Sequence, residues 1–333
     1  MSGPIVHGGG ITAAAAEFGG RPEDWLDLST GINPCPVDLP EIPQSVWHRL
    51  PDRHLLNSAV EAARDYYRSG PLSPLPVPGT QSVIQLLPRL VVPGSRVAVV
   101  SPTYGEYEKA FRSAGCAVDT VSSLDEIGDG TMLVVAVNPN NPTARLHDRD
   151  SLIRLHEALK AKGGYLVVDE AFGDIARGES LVPSAAELSN LITFRSFGKF
   201  FGLAGLRLGF VIAQDSLRAK FEDWLGPWAV SGPALSIATA LLRSDPAPIA
   251  AGIAERNAGL VVVLEAAGLA VTGNAALFTL VEDKRAGDLY RHLCRHHILV
   301  RRFDYAPHWL RFGLGPDRSA DRRLAAALES FDA

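Results

Sequence analysis

Ser196-Phe197-Gly198-Lys199-Phe200-Phe201-Gly202-Leu203-Ala204-Gly205-Leu206-Arg207-Leu208-Gly209 follows an apolar, β-prone run, Leu191-Ile192-Thr193-Phe194, and leads into another, Leu208 to Ala213. The stretch predicts a loop between two buried strands. A lysine in that setting has to be solvated, paired or used chemically, because an isolated ammonium in apolar surroundings is costly. The chain has six lysines, and the other five (Lys109, Lys160, Lys162, Lys220, Lys284) stand in polar, helix-like or loop contexts. Lys199 is the exception. Burial would lower its pKa and leave a nucleophilic amine.

The plainer alternative is a lysine that snorkels to the surface from a flexible glycine-rich connection. Its neighbours argue against that. Ser196 offers a hydroxyl, Arg207 a permanent charge suited to phosphate, and the glycines at 198, 202, 205 and 209 let the backbone approach a ligand closely. An amine, a hydroxyl and a guanidinium on one turn match what a phosphorylated aldehyde requires: an amine to condense with the carbonyl and two phosphate contacts.

At 333 residues the chain exceeds one average domain, so one large and one smaller domain are expected. A hydrophobic content of 47% with 21% charged residues is ordinary for a globular protein, and the net charge of -5 gives no reason to expect nucleic acid or an anionic membrane as partner. Cys35, Cys116 and Cys294 lie far apart without paired spacing, which argues against a zinc knuckle or a disulfide framework and fits a reducing compartment. Met1-Ser2-Gly3-Pro4 shows no basic region followed by an apolar segment, and no later apolar run approaches the roughly 20 residues of a membrane span. A cytoplasmic enzyme without a metal is the expectation.

From Arg96 onward the pattern is α/β. Val97 to Val100, Met132 to Val137, Tyr165 to Val168, Ile192 to Phe194 and Leu208 to Ile212 are short, nearly continuous apolar runs, as parallel strands buried on both faces should be. Helical segments separate several of them, Tyr104 to Ala114 and Asp150 to Ala161 among them, and Leu55 to Arg68 reads as an earlier helix. The alternation predicts an open, mostly parallel sheet flanked by helices, with ligands at the carboxyl ends of the strands. From Trp224 the chain reads as helices followed by a small α+β domain with strands at Ala276 to Val281, Ile298 to Phe303 and Trp309 to Leu314.

The polar residues at those carboxyl ends carry the chemistry. Tyr104 could hold its ring over a flat ligand, Asn141 could aim an amide at a ring substituent, and Asp169 leaves a buried strand as a carboxylate that needs a positive partner. Upstream, Gly79-Thr80-Gln81 opens an apolar helical run from Ser82 to Leu90, an arrangement that binds phosphate through free N–H groups and a hydroxyl. Each has a bland reading: core packing for Tyr104, a turn for Asn141, a helix cap for Asp169, a plain N-cap at Thr80. Similarly, the turn His7-Gly8-Gly9-Gly10 before an alanine-rich helix reads as an anion site or as a mobile arm. Arg301 and Arg311 read as ligand anchors or as ordinary solvent-face arginines.

Tyr104, Asn141, Asp169, Lys199 and Arg207, in this order, resemble the residue set of fold-type-I pyridoxal-phosphate (PLP) enzymes, the aminotransferase class I/II superfamily. The resemblance implies a large PLP-binding α/β domain over residues 41–225 and a small α+β domain over 226–333. An N-terminal segment, 1–40, would go with the substrate site and the small domain. It further implies Lys199 as the catalytic amine. Gly79, Thr80, Ser196 and Arg207 would hold the cofactor phosphate with Gln81 beside them, Tyr104 would stack on the ring, Asn141 would bond its O3′, and Asp169 would pair with its nitrogen. Phe172 stands where many relatives carry a tyrosine, so one hydrogen bond to O3′ is missing.

The amino-terminal His7-Gly8-Gly9 and Leu28-Ser29-Thr30-Gly31-Ile32-Asn33-Pro34 are similar to the threonine-phosphate decarboxylases of cobalamin biosynthesis, a branch close to the histidinol-phosphate aminotransferases. That likeness implies decarboxylation of L-threonine O-3-phosphate to (R)-1-aminopropan-2-yl phosphate. His7, Gly8, Asn33, Arg301 and Arg311 would then be substrate contacts, with Arg302 a substitute for Arg301, and the enzyme a homodimer. Leu50 replaces a tyrosine that in relatives reaches the neighbouring subunit's cofactor phosphate. A histidinol-phosphate type aminotransferase and a catalytically silent PLP-fold binding protein are the alternatives.

Overall fold

The computed structural model describes residues 5, 7–35 and 37–331; the opening Met1 to Pro4, and Pro36 within the proline-rich connector, lie outside them. Twelve strands are present among the described residues: β1 (Leu26–Leu28), β2 (Leu75–Val77), β3 (Arg96–Val100), β4 (Ala117–Val121), β5 (Thr131–Val137), β6 (Tyr165–Asp169), β7 (Leu191–Ser196), β8 (Gly209–Ala213), β9 (Ala270–Asn274), β10 (Phe278–Glu282), β11 (Ile298–Phe303) and β12 (Ala306–Gly313). They form a seven-stranded sheet of order β2-β8-β7-β6-β5-β3-β4 and a five-stranded sheet of order β1-β11-β12-β10-β9. In the larger sheet β3 to β7 run parallel, and β8 alone is reversed, antiparallel to both β7 and β2. The smaller sheet is antiparallel except where β1 joins β11.

The near-continuous apolar runs have the expected cause. Along β3 and β5 alternate residues enter separate cores: Val97, Val99, Leu133 and Val135 pack with Tyr107, Phe111 and Phe221, while Ala98, Val100, Val134 and Ala136 pack with Leu152 and Phe197. Both faces are covered, so neither can be polar. The second core continues into the smaller sheet through Phe278, Val300 and Phe312, which ties the two sheets together around one edge.

Three helices begin or end where local chemistry dictates. Asp52 accepts the Leu55 N–H at 2.9 Å and starts the helix Arg53–Tyr67, two residues before the expected start, and Arg68 closes it at a left-handed φ of 58°. Asp148 does the same for Arg149–Lys160 through the Ser151 N–H. The run from Ser82 to Leu90 is not one helix. A five-residue helix, Thr80–Ile84, passes into a 3₁₀ turn, Leu87–Leu90, because Pro88 lacks the N–H an α-helix needs there.

The helix Ala247–Ala266 corrects the expectation that no run reaches membrane-spanning length: by length and composition alone it does. Its polar residues show how it is held. Arg256 pairs with Asp321 of the helix Arg318–Glu329, and Asn257 exchanges side-chain hydrogen bonds with Asn274 of β9. Strand β9 itself was absent from the expected set. Its alternating half-exposed pattern lacks the apolar run that marks the other strands.

Candidate active site

The carboxyl ends of β5, β6 and β7 and the start of the reversed β8 open on one cavity of about 620 Å³. Its walls include His7, Gly8, Gly79, Thr80, Gln81, Tyr104, Asn141, Asp169, Ser196, Lys199, Arg207, Arg301 and Arg311. Residues more than 300 positions apart in the chain thus share one space. Of the expected site residues only Asn33 is not part of its lining.

Lys199 lies on the short helix Phe197–Phe200, directly after β7. Its Nζ stands 4.8 Å over the ring of Phe172. Burial, and then the charge of Arg311, drives its pKa down to about 8. The other five lysines are exposed, as expected. With Asp169 as its counter-charge and its pKa brought towards neutrality, the amine supplies far more nucleophilic free base than an exposed lysine does.

Asp169 is the last residue of β6 and is buried. Its Oδ2 accepts the Tyr107 hydroxyl at 2.7 Å and its Oδ1 accepts the Ala171 N–H at 2.9 Å. Burial raises its pKa, and the Tyr107 bond opposes that rise. The turn that follows is anchored from behind: Arg195 pairs with Glu170 at 2.8 Å and Asp174 at 3.1 Å while stacking on Tyr67.

Arg207 adopts a left-handed φ of 54° and gives one N–H to the Ala204 carbonyl. Gly79, at φ 74°, lies against it, and a Cβ there would come within 2.9 Å of Arg207 Nη2. Thr80 and Ser196 complete this corner of the lining. A guanidinium, two hydroxyls and a glycine backbone make an anion cradle.

Arg311 is buried and donates to the side-chain oxygen of Asn141 and, at 2.8 Å, to the Ser29 carbonyl. Arginine has no acceptor, so the Asn141 atom facing it must be the carbonyl oxygen, and the amide NH₂ is left for a ligand. Arg311 Nε has no partner. Burial, with Arg301 next, pulls the Arg311 pKa down to about 10. Arg301 is its direct cross-strand neighbour, and Arg302, one residue on, instead stacks over Tyr290.

Two expectations change. Asn33 is buried with both ends of its amide engaged: it donates one N–H to the Phe200 carbonyl at 3.0 Å and accepts the Cys35 N–H at 2.9 Å, while its own backbone N–H bonds the Lys199 carbonyl. It braces the loop bearing Lys199 rather than facing the cavity, because the turn before Pro34 points it inward. The Gly9 N–H, in the turn read as an anion site or a mobile arm, donates to Ser29 Oγ at 2.7 Å.

The sequence reading missed Tyr107 and Glu106. Tyr107 lies one helical turn after Tyr104, a spacing that could have pointed to a shared face. Glu106 resembled an ordinary acid in a first helical turn, yet it is buried and holds His7, Gln81 and Gln85.

Comparison with known proteins gives a consistent picture. The family model for aminotransferase class I and II matches residues 23–328. A threonine-phosphate decarboxylase of Sinorhizobium sp is 60% identical over 332 residues, covering 100% of both chains. One from Pseudomonas aeruginosa is 40% identical and covers 98% of each. The solved histidinol-phosphate aminotransferase from Sinorhizobium meliloti in complex with pyridoxal-5'-phosphate has a TM-score of 0.81 at 20% identity, covering 99% of this chain and 96% of that one. That last likeness is one of fold.

Proposed function

The chain belongs to the aminotransferase class I and II family, and from that premise we propose that it is a PLP-dependent threonine-phosphate decarboxylase. It converts L-threonine O-3-phosphate to (R)-1-aminopropan-2-yl phosphate and CO₂ in cobalamin biosynthesis. The observation that carries the reading is one cavity in which an amine of lowered pKa, Lys199, meets a buried carboxylate, Asp169, and three guanidiniums, Arg207, Arg301 and Arg311. None of the three has an acidic ion-pair partner among the described residues. Such a cavity suits a ligand set rich in phosphate and carboxylate.

The residues fit the cofactor. Gly79, Thr80, Ser196 and Arg207 would take its phosphate, Tyr104 its ring face, Asn141 its O3′ and Asp169 its ring nitrogen, with Lys199 at its aldehyde. Bound there, PLP supplies the electron sink for the bond that breaks at Cα. The rest is positioning by the chain. Tyr107 and the Ala171 N–H keep Asp169 charged against its burial. Arg311 and Arg301 hold anionic groups of the substrate, with His7 beside them, and so decide which bond to Cα stands ready to break. Lys199, in its protonated form, would supply the proton that Cα takes up once CO₂ has left.

An assay tests the reading directly. Purified protein with PLP and O-phosphothreonine should give CO₂ and an aminoalkyl phosphate, identified by mass. Conversion of histidinol phosphate with 2-oxoglutarate to glutamate, and no CO₂ from O-phosphothreonine, would assign it to the transaminating branch.

The enzyme is further proposed to act as a cytoplasmic homodimer, with the N-terminal segment 1–40, the large domain 41–225 and the small domain 226–333 as its units. The pairing of β1 with β11 supports the link between the first and last of these. Exposed Trp47, Leu50 and Trp228, the last lining a groove of about 600 Å³ with Pro51, Leu56, Val230 and Leu235, support an apolar subunit contact. Three free cysteines support a reducing compartment.

A further inference from the structure

We infer that Glu106 is a positioning residue that sets two walls of the cavity at once: the amino-terminal arm through His7, and the ring of Tyr104 through Gln81. The inference deepens the reading above and rests on it for the identity of the substrate. Glu106 is buried at the first position of the helix Glu106–Ser113. One oxygen, Oε1, lies 3.2 Å from His7 Nε2 and 3.6 Å from Lys109 Nζ. The other, Oε2, accepts from Gln81 Nε2 at 3.1 Å and Gln85 Nε2 at 3.2 Å.

An acid in a first helical turn is favoured by the helix dipole alone. That role would leave the carboxylate at the surface with partners from its own helix. Here only Lys109 comes from that helix; His7 belongs to the arm, and Gln81 and Gln85 to a different turn.

The polarity then propagates. An ionised carboxylate only accepts, so Gln81 must present its NH₂ to Glu106 and its carbonyl oxygen to the other side. That oxygen lies 3.0 Å from the Tyr104 hydroxyl, which is therefore the donor. Burial, and next the Glu106 charge, keeps the Tyr104 pKa up at about 12, so the phenol remains a donor. On the other side, a His7 whose Nε2–H goes to Glu106 leaves Nδ1 as the ring nitrogen a ligand meets, and its ring is 5.6 Å from that of Tyr104.

The arm is pinned at this point by packing too. A Cβ at Gly105 would meet Ile5 at 3.3 Å, and one at Gly8 would come within 2.4 Å of the Ser29 carbonyl. With the Gly9 bond to Ser29, the arm is fixed on one side by Ser29 and on the other by Glu106. It forms part of the cavity wall between them.

Glu106→Gln tests this because one amide cannot accept on both sides: with its NH₂ towards Gln81 and Gln85 it meets donor with donor, and with its NH₂ towards the arm it opposes the Lys109 ammonium and loses the charge that holds His7 by Nε2–H. Amide hydrogen exchange on the ligand-free protein reads the arm without reference to activity. The expected result is exchange over residues 7–10 faster by about tenfold or more, with protection of the helix Glu106–Ser113 retained. In kinetics with O-phosphothreonine, KM rises by about tenfold or more while kcat changes less, by about threefold or below. His7→Ala gives the same arm exchange, and adding Glu106→Gln to it gives no further increase. Arm exchange at the wild-type rate, or KM unchanged alongside a loosened helix, would overturn the inference. A wild-type protein that releases no CO₂ from O-phosphothreonine would remove the functional reading, and the exchange measurement would still decide the role of Glu106.

Discussion

Arg301 and Arg311 stand directly opposite each other across the β11 and β12 pairing, and neither has a carboxylate ion-pair partner among the described residues. Opposed like charges destabilise a sheet. Burial lowers the pKa of both guanidiniums, and each lowers that of the other or of Lys199 in turn. These guanidiniums therefore repel one another, and an anion bound between them relieves that repulsion, which makes anion binding favourable beyond its direct contacts.

Arg301→Gln should separate stability from function. Losing one of two opposed charges is expected to stabilise the ligand-free protein by about 0.2–1 kcal/mol while raising KM for O-phosphothreonine by about tenfold or more. Urea unfolding and steady-state kinetics on the same preparation check this; a variant that is both less stable and fully active would contradict it.

The Lys199 pKa predicts a pH signature. Its folded value of about 8 lies below its ordinary value of 10.5, so between those limits the unfolded chain holds a proton that the folded chain has lost. Stability then rises with pH across that window. The unfolding free energy of ligand-free wild type minus that of Lys199→Met should be flat below pH 8, where the buried charge penalises wild type in full, and become more positive from pH 8 towards pH 10.5 as that penalty is relieved. A difference independent of pH would mean that the amine is not depressed.

What the sequence made legible follows from where backbone and side-chain signals coincide. The runs at β3, β5, β6 and β7 are buried on both faces, so their composition alone marked them, and the polar residues closing them marked the site. Glycines with Arg207 and Lys199 showed the turn for the same reason. The bracing role of Asn33 could not be read because its amide has two possible directions, and only the fold brings the Phe200 carbonyl within 3.0 Å. The roles of Glu106 and Tyr107 were hidden for a related reason: their partners, His7 and Asp169, lie 99 and 62 positions away, and although the spacing from Tyr104 could place Tyr107 on the same face, no local pattern encodes the contact itself. Strand β9 lacked a signal since its residues alternate between half-exposed and exposed.

Gly79 has a conformational and a steric reason to be glycine. Its φ is 74°, and a Cβ would stand 2.9 Å from Arg207 Nη2. Gly79→Ala should destabilise the ligand-free protein by about 1–3 kcal/mol through backbone strain and displace Arg207 from the cradle. PLP affinity, measured by titration of its absorbance, is expected to fall by about tenfold or more. Unchanged affinity would show that Arg207 and Gly79 do not hold the cofactor phosphate.

Tyr107→Phe tests how Asp169 remains charged. Burial raises the folded pKa of Asp169 above its ordinary 3.8, and the Tyr107 hydroxyl is the strongest opposing influence. Removing that donor leaves a buried carboxylate with the Ala171 N–H alone, a loss of about 1.5–3 kcal/mol at neutral pH. The sign of the pH dependence follows. With a folded pKa above the unfolded one, the folded chain holds the extra proton in between, so the penalty for charging Asp169 appears as pH rises through that window and is absent below it. The stability deficit of Tyr107→Phe should therefore be largest at neutral pH and shrink on acidification, as the protonated carboxyl ceases to need the donor. In an Asp169→Asn background the same substitution should cost about 1 kcal/mol or less. Urea unfolding across a pH series measures both effects; a deficit that neither shrinks with acid nor falls in the Asp169→Asn background would show that the Tyr107 hydroxyl does not serve the charge on Asp169.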